Sequence, residues 1–176
     1  DLHLHQLRDH AVNRHGQVDD APYGGEAGMV LRPEPLAAAL DKVCRDAADT
    51  RPHVVYLSAQ GTLLTQRRVA ELARLPRIAV VCGHYKGVDQ RFLDARVDEE
   101  LSIGDYVLSG GELPAMVLID AVARLQPGVL GDMDSADTDS HARPGRLGWP
   151  VYTRPAVFEG RAVPEILLSG HHARID

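Results

Sequence analysis

The run Ser102–Pro114 joins a glycine, a short β-prone segment, a glycine pair and a helix start with almost nothing between them. A core strand has no use for Gly104, Gly110 and Gly111 at such close spacing. Glycine there either supplies positive φ or lets a backbone pass close to a ligand. Pro114 suits the first turn of a helix whose apolar face is Val117, Leu118, Ala121, Val122 and Leu125, and Pro127-Gly128 stops it. The spacing therefore predicts a strand over Tyr106–Leu108, a glycine turn, and a helix over Leu113–Leu125. A glycine turn between strand and helix is a good place to bind something.

The same alternation runs through the preceding residues. Val54–Ser58 and Ile78–Cys82 read as strands, and Pro35–Ala48 and Thr65–Leu75 as helices. The strands are short apolar runs rather than alternating ones, which fits burial on both faces of a sheet. The fold class is therefore α/β, a mostly parallel sheet flanked by helices. Leu2–Leu7 alternates like an edge strand, Asp19–Gly28 reads as a loop, and the polar, then Pro/Gly-rich Gly131–Gly148 reads as a mobile loop.

Each expected strand runs into turn chemistry: Ala59-Gln60-Gly61, Gly83-His84-Tyr85-Lys86-Gly87 and Ser109-Gly110-Gly111. In a parallel sheet all three loops lie at one carboxyl edge, where open α/β sheets bind ligands. Neither the dinucleotide fingerprint nor the phosphate loop is present. A small ligand with adenine or another flat ring fits better, its edge read by backbone amides near Leu57, Tyr106 and Leu108.

Charge and reactive residues narrow the chemistry. A net charge of −6 argues against a nonspecific coat for nucleic acid. Yet the basic residues are 17 Arg and 2 Lys, and His141 to Ile175 holds five Arg against Glu159 and Glu165, so a specific RNA contact is permitted. Hydrophobic residues make up 44% of the 176, enough for one domain with a real core. No apolar run is long enough to span a bilayer. Cys44 and Cys82 make no disulfide framework, and a reducing cytoplasm is the easier reading. His3 and His5 would share a strand face, while His10, His15, His171 and His172 are spread too loosely for a metal motif. Asp132, Asp134, Asp137 and Asp139 fail the calcium-loop pattern, with Asp137 at its glycine position and Arg143 at its closing glutamate. No metal ligand set is assigned. Cys82, at a buried strand end, reads as inert packing. Arg124, late on an apolar helix, suits the negative end of the helix dipole.

Several segments together carry a resemblance. They are Val18–Gly25, Tyr56–Gly61, Cys82–Arg91, Ser102–Pro114, Tyr152–Pro155 and Leu167–His172. In this order they resemble the bacterial tRNA (guanine-N1)-methyltransferases of the TrmD type, over essentially the whole chain. The resemblance implies a SPOUT fold with a deep trefoil knot, and S-adenosylmethionine held in that knot. The matching cofactor positions are Leu57, Ser58, Gly83, Ile103, Gly104, Asp105, Tyr106, Val107, Leu108, Gly110 and Gly111. It further implies a homodimer with its active site at the subunit interface, Asp139 as general base and Arg124 as its assistant. The implied substrate is tRNA, methylated at the guanosine immediately 3′ of the anticodon (m1G37).

The chain departs from the family pattern at named places. Lys86 stands where the family carries Glu, so any Mg2+ dependence would meet a reversed charge. Gly24-Gly25-Glu26-Ala27-Gly28 replaces Gly-Gly-Gly-Pro-Gly, Ala59 replaces Pro, and Gly148 replaces an acidic residue. The expected organisation is a single SPOUT domain over 1–176, without the family's first strand and its helical tRNA-binding C-terminal domain. That absence is expected to weaken tRNA binding. Two readings stay open at this point: an active methyltransferase core, and a truncated or divergent non-catalytic relative that binds S-adenosylmethionine or RNA.

Overall fold

The computed structural model describes residues 1–46, 50–129, 139–142 and 145–170. Asp132, Asp134, Asp137, Arg143, His171 and His172 lie outside the described residues, as does most of the loop expected over 131–148. The chain divides into two compact units, Asp1–Met133 and Asp134–Asp176.

The first unit opens without regular structure over 1–6, followed by a 3-10 turn at Leu7–His10. The edge strand expected over Leu2–Leu7 does not form, and with it goes the shared face of His3 and His5. Leu2 and Leu4 are exposed, and only Leu7, with Ala11, packs on the core. Next come β1 (Asp19–Asp20) and β2 (Val30–Leu31), paired antiparallel, then α1 (Pro33–Asp46), entered through Pro33 as a fixed-φ first residue. They are followed by β3 (His53–Leu63), α2 (Gln66–Leu72), β4 (Ile78–Cys82), α3 (Gln90–Arg96), β5 (Glu99–Ser102) and α4 (Glu112–Ala123). Thr65 caps α2 by accepting from the Arg68 amide at 3.3 Å. Asp89 caps α3 in the same way from Arg91 at 3.0 Å. Hydrophobic periodicity does not mark α3; its sequence signal is Asp89 ahead of Phe92-Leu93.

β4, β3 and β5 form one parallel sheet in that order. β3 is its centre, and its side chains divide by alternation. Val54 and Tyr56 join Leu36 and Leu40 of α1 and Phe92 of α3. Val55 and Leu57 join Leu72 of α2, Leu101 of β5, and Ala115 and Leu118 of α4. A strand buried on both faces must be apolar at every position, which is why it reads as a run.

The expected strand at Tyr106–Leu108 is not formed. The strand is β5, four residues upstream, and Tyr106 and Val107 are 54% and 86% exposed in the loop beyond it. Glu99 and Glu100 hid it from a hydrophobic scan. Glu99 is tolerated there because Arg68 donates to it at 2.7 and 2.9 Å and His53 pairs with it at 2.7 Å. The burial of α4 also differs from the expected stripe. Pro114, Ala115 and Leu118 are buried, whereas Val117 is 48% exposed beside Leu113 and Met116.

In the second unit β6 (Val157–Phe158) and β7 (Arg161–Ala162) form a hairpin. Its turn residues Glu159 and Gly160 both lie at positive φ, as two-residue hairpins favour. A short helix, α5 (Glu165–Leu168), follows.

Leu118→Ala, at a site 1% exposed, should cost about 2–5 kcal/mol in urea unfolding. Burial opposes the charge on Glu99, but the hydrogen bonds from Arg68 and His53 outweigh it and hold the carboxyl below its usual range. A depressed carboxylate stabilises the fold above its unfolded pKa, and that contribution is lost as pH falls through the folded value. Unfolding between about pH 6 and pH 3 should therefore show a smaller acid loss for Glu99→Gln than for the native chain, with the variant weaker at neutral pH.

Candidate cofactor cleft

Three segments line one cleft of about 380 Å³, within the range for small-molecule sites. The first is a bulge, not a strand end as the sequence implied. β3 continues to Leu63, but both Leu57 and Thr62 face Leu101, so 58–61 arches out between them. Gly61 allows the chain to come back: a Cβ there would lie 2.6 Å from the backbone of Glu100 and Leu101. The second segment, Gly83–Gly87, leaves β4. The Leu31 amide donates to Gly87 O and the Lys86 amide to Met29 O, both at 2.9 Å, and Tyr85 sits in the left-handed region at φ 60.

The third segment, 103–111, leaves β5. The buried Ser102 hydroxyl donates to Gly104 O at 3.0 Å and accepts from its amide at 3.2 Å, fixing the exit. The run then lies against the end of β4. The Gly111 amide donates to Gly83 O at 2.9 Å, and His84 bridges Gly110 antiparallel. A Cβ on Gly111 would sit 2.7 Å from Cys82 Cα and 2.9 Å from the Gly83 nitrogen. Gly111 has φ −81, so it serves close approach of two backbones and not unusual φ.

Leu57, Ser58, Gly83, Ile103, Gly104, Tyr106, Val107, Leu108, Gly110 and Gly111 all line this cleft. Asp105 is exposed and is not among the lining residues. Arg124 caps the C-terminus of α4, also outside the lining. Asp139 belongs to the second unit, where its carbonyl accepts from the Ala142 amide at 3.2 Å.

Sequence reasoning missed Tyr56, Glu100 and the His84–Glu112 pair. Tyr56 and Glu100 are neighbours in the sheet register and line the cleft, and burial, then the Glu100 charge, raises the Tyr56 pKa. Only the two-residue spacing of Tyr56 and Ser58 could have marked Tyr56. His84 Nε2 meets Glu112 Oε1 at 2.5 Å, tying the second loop to the first turn of α4. Burial works against the Glu112 charge, but His84 and the backbone hold its carboxyl below the usual range. Burial, then the Glu112 charge, pushes the Cys82 thiol up to about 11, which disfavours the thiolate a nucleophile needs. Among the described residues lining the cleft, Lys86 is the only Lys or Arg. A second cleft, about 460 Å³, lies beside Gln60–Leu63, Arg67 and Arg68. Arg68 there is already paired with Glu99 and Glu71.

The profile of the family described as tRNA (Guanine-1)-methyltransferase TrmD matches residues 1–176. The chain belongs to the TrmD family. A TrmD-family relative from Chloroflexus aurantiacus, named tRNA (guanine-N(1)-)-methyltransferase, is 57% identical over 176 residues, covering 99% of this chain and 68% of that protein. One of the same name from Rhodopseudomonas palustris is 56% identical over 174 residues, again 99% and 68%. The chain thus spans about two thirds of the length of these curated relatives. Among solved structures, the crystal structure of tRNA (m1G37) methyltransferase from Aquifex aeolicus matches with a TM-score of 0.75 and 46% identity. That match covers 96% of this chain and 68% of the other. The α/β architecture described above is therefore the TrmD architecture.

The two glycines of the third loop should behave differently. A Cβ at Gly110 meets the ends of the His84 and Glu112 side chains, which can move, whereas at Gly111 it meets backbone. Gly111→Ala should lower stability by about 1–3 kcal/mol in urea unfolding, and Gly110→Ala by clearly less.

Proposed function

We propose that this chain methylates N1 of guanine in tRNA, at the position immediately 3′ of the anticodon, using S-adenosylmethionine. The observation that carries the reading is one cleft lined by three loops, with ten of the eleven expected cofactor residues among its lining. Its chemistry fits the methyl donor. Leu57, Ile103 and Leu108 offer apolar surface for a flat ring, and the loop backbones offer polar edges. Lys86 offers a cation to the carboxylate of the donor's amino-acid part. In this reading the cofactor site is trefoil-knotted.

S-adenosylmethionine supplies an already activated methyl group on sulfonium sulfur. The residues of this chain have the remaining work. Guanine N1 carries a proton and is a poor nucleophile until it leaves. Asp139 takes that proton as general base. Negative charge then builds on the guanine O6, and the Arg124 guanidinium stabilises it. The cleft aligns donor and acceptor, which for a reactive sulfonium methyl is most of what catalysis requires. The base reaches it splayed from its stack.

A homodimer belongs to the same proposal, the catalytic loop of one subunit completing the other's site. The exposed apolar side chains Leu113, Met116 and Val117 on α4 support it. Both compact units are read as parts of one methyltransferase domain. Among the described residues the cleft does not fit a magnesium site: Glu100 is the only Asp or Glu of those lining it, and Lys86 repels a divalent cation. Among the described residues no helix is long and apolar enough to cross a membrane. We propose a cytoplasmic setting, where tRNA is found. A non-catalytic remnant is not favoured, because the likeness to proteins named as methyltransferases runs through nearly the whole chain.

Incubation with methyl-labelled S-adenosylmethionine and a tRNA transcript bearing G after the anticodon should yield N1-methylguanosine on nucleoside analysis. Asp139→Ala should slow turnover about 10²–10⁴-fold, and Arg124→Ala about 10²–10³-fold. S-adenosylmethionine binding without any methyl transfer would refute the proposal.

A further inference from the structure

The second unit holds the only tryptophan of the chain, Trp149, which has no part in the proposed methyl transfer. The Arg146 guanidinium carbon lies 5.1 Å from the centre of its ring, a cation–π distance. Trp149 is nevertheless 63% exposed. An indole with an arginine over its ring and still largely exposed keeps surface for another flat partner. Fixing such a pair at the surface has an entropic cost, and the local chain meets it with hydrogen bonds. The His141 amide donates to Arg146 O at 2.8 Å, and the Gly148 amide to Ser140 Oγ at 2.8 Å. The Ala142 amide donates to Asp139 O at 3.2 Å. The turn that starts at Asp139 is thereby laced to the segment that presents Trp149.

We infer that Arg146 and Trp149 form a stacking platform for an unpaired nucleobase of the RNA substrate, beside the turn that carries Asp139. The occupant follows from chemistry. Unstacked RNA bases are held on aromatic rings and guanidinium planes, and this pair offers both. The charge balance agrees, with five arginines against two acidic residues between His141 and Ile175. A protein surface seeking only apolar contact would gain nothing from the guanidinium. The inference rests on the proposed tRNA substrate, but it can fail separately.

Because Trp149 is the sole tryptophan, its emission reports the platform directly. Titrating the full chain with an anticodon stem-loop RNA should quench that emission saturably, over the concentrations that saturate methyl transfer. Trp149→Ala should raise the KM for tRNA about tenfold, more than it lowers kcat, and leave S-adenosylmethionine affinity unchanged. Trp149→Phe should recover most of the loss, since a base stacks on any aromatic ring, while the unchanged S-adenosylmethionine affinity of Trp149→Ala excludes a folding defect. Emission that stays constant while methyl transfer saturates overturns the platform and leaves the reaction standing. Quenching without methyl transfer overturns the reaction and leaves the platform. Emission that depends on protein concentration and ignores RNA assigns Trp149 to a contact between copies, and also overturns the platform.

Discussion

The cleft depends on two backbones lying in contact. The run after β5 can close on the end of β4 only because Gly111 offers no Cβ where Cys82 and Gly83 pass, and the Gly111 amide then donates to Gly83 O at 2.9 Å. From that contact come the bridge between His84 and Gly110 and the start of α4 at Glu112. The His84–Glu112 pair strengthens the junction from the outside. With any larger residue at 111 the third loop would stand away from the second, and the cleft would lose a wall.

That junction is useful only if the sheet beneath it is rigid. β3 supplies the rigidity by sending Val54 and Tyr56 to one core and Val55 and Leu57 to the other. Leu57, nearly fully buried, is also among the residues lining the cleft, so core and site meet at one residue. The bulge at 58–61 then releases the chain from register at the point where the cleft begins. The loops that line the cleft carry strain and exposure, with Tyr85 at positive φ and Val107 86% exposed.

The sheet was legible because it is buried on both faces. Ile78–Cys82 could be delimited to the residue from its apolar run and the turn chemistry after it. β5 was not legible, since two of its residues are glutamates whose acceptability depends on Arg68 and His53, far away in sequence. Tyr106-Val107-Leu108 misled for the opposite reason: β-prone, apolar residues serve there as a loop wall. The same holds for Val117, whose helical spacing promises a core and whose exposure denies it. For the cleft, glycine spacing pointed to the right loops without showing why. The reason is a contact between segments about thirty residues apart, which no local pattern encodes. Tyr56 and Glu100 escaped notice because they look like ordinary strand residues until the register makes them neighbours.

The central claim is that the three loops form the cofactor site. Amide chemical shifts recorded while S-adenosylhomocysteine is titrated into the chain test it most directly. The account predicts shifts grouped at Leu57–Ala59, Gly83–Gly87 and Ile103–Gly111, the segments lining the 380 Å³ cleft. Shifts confined to Thr62–Arg68, beside the other cleft, would contradict it.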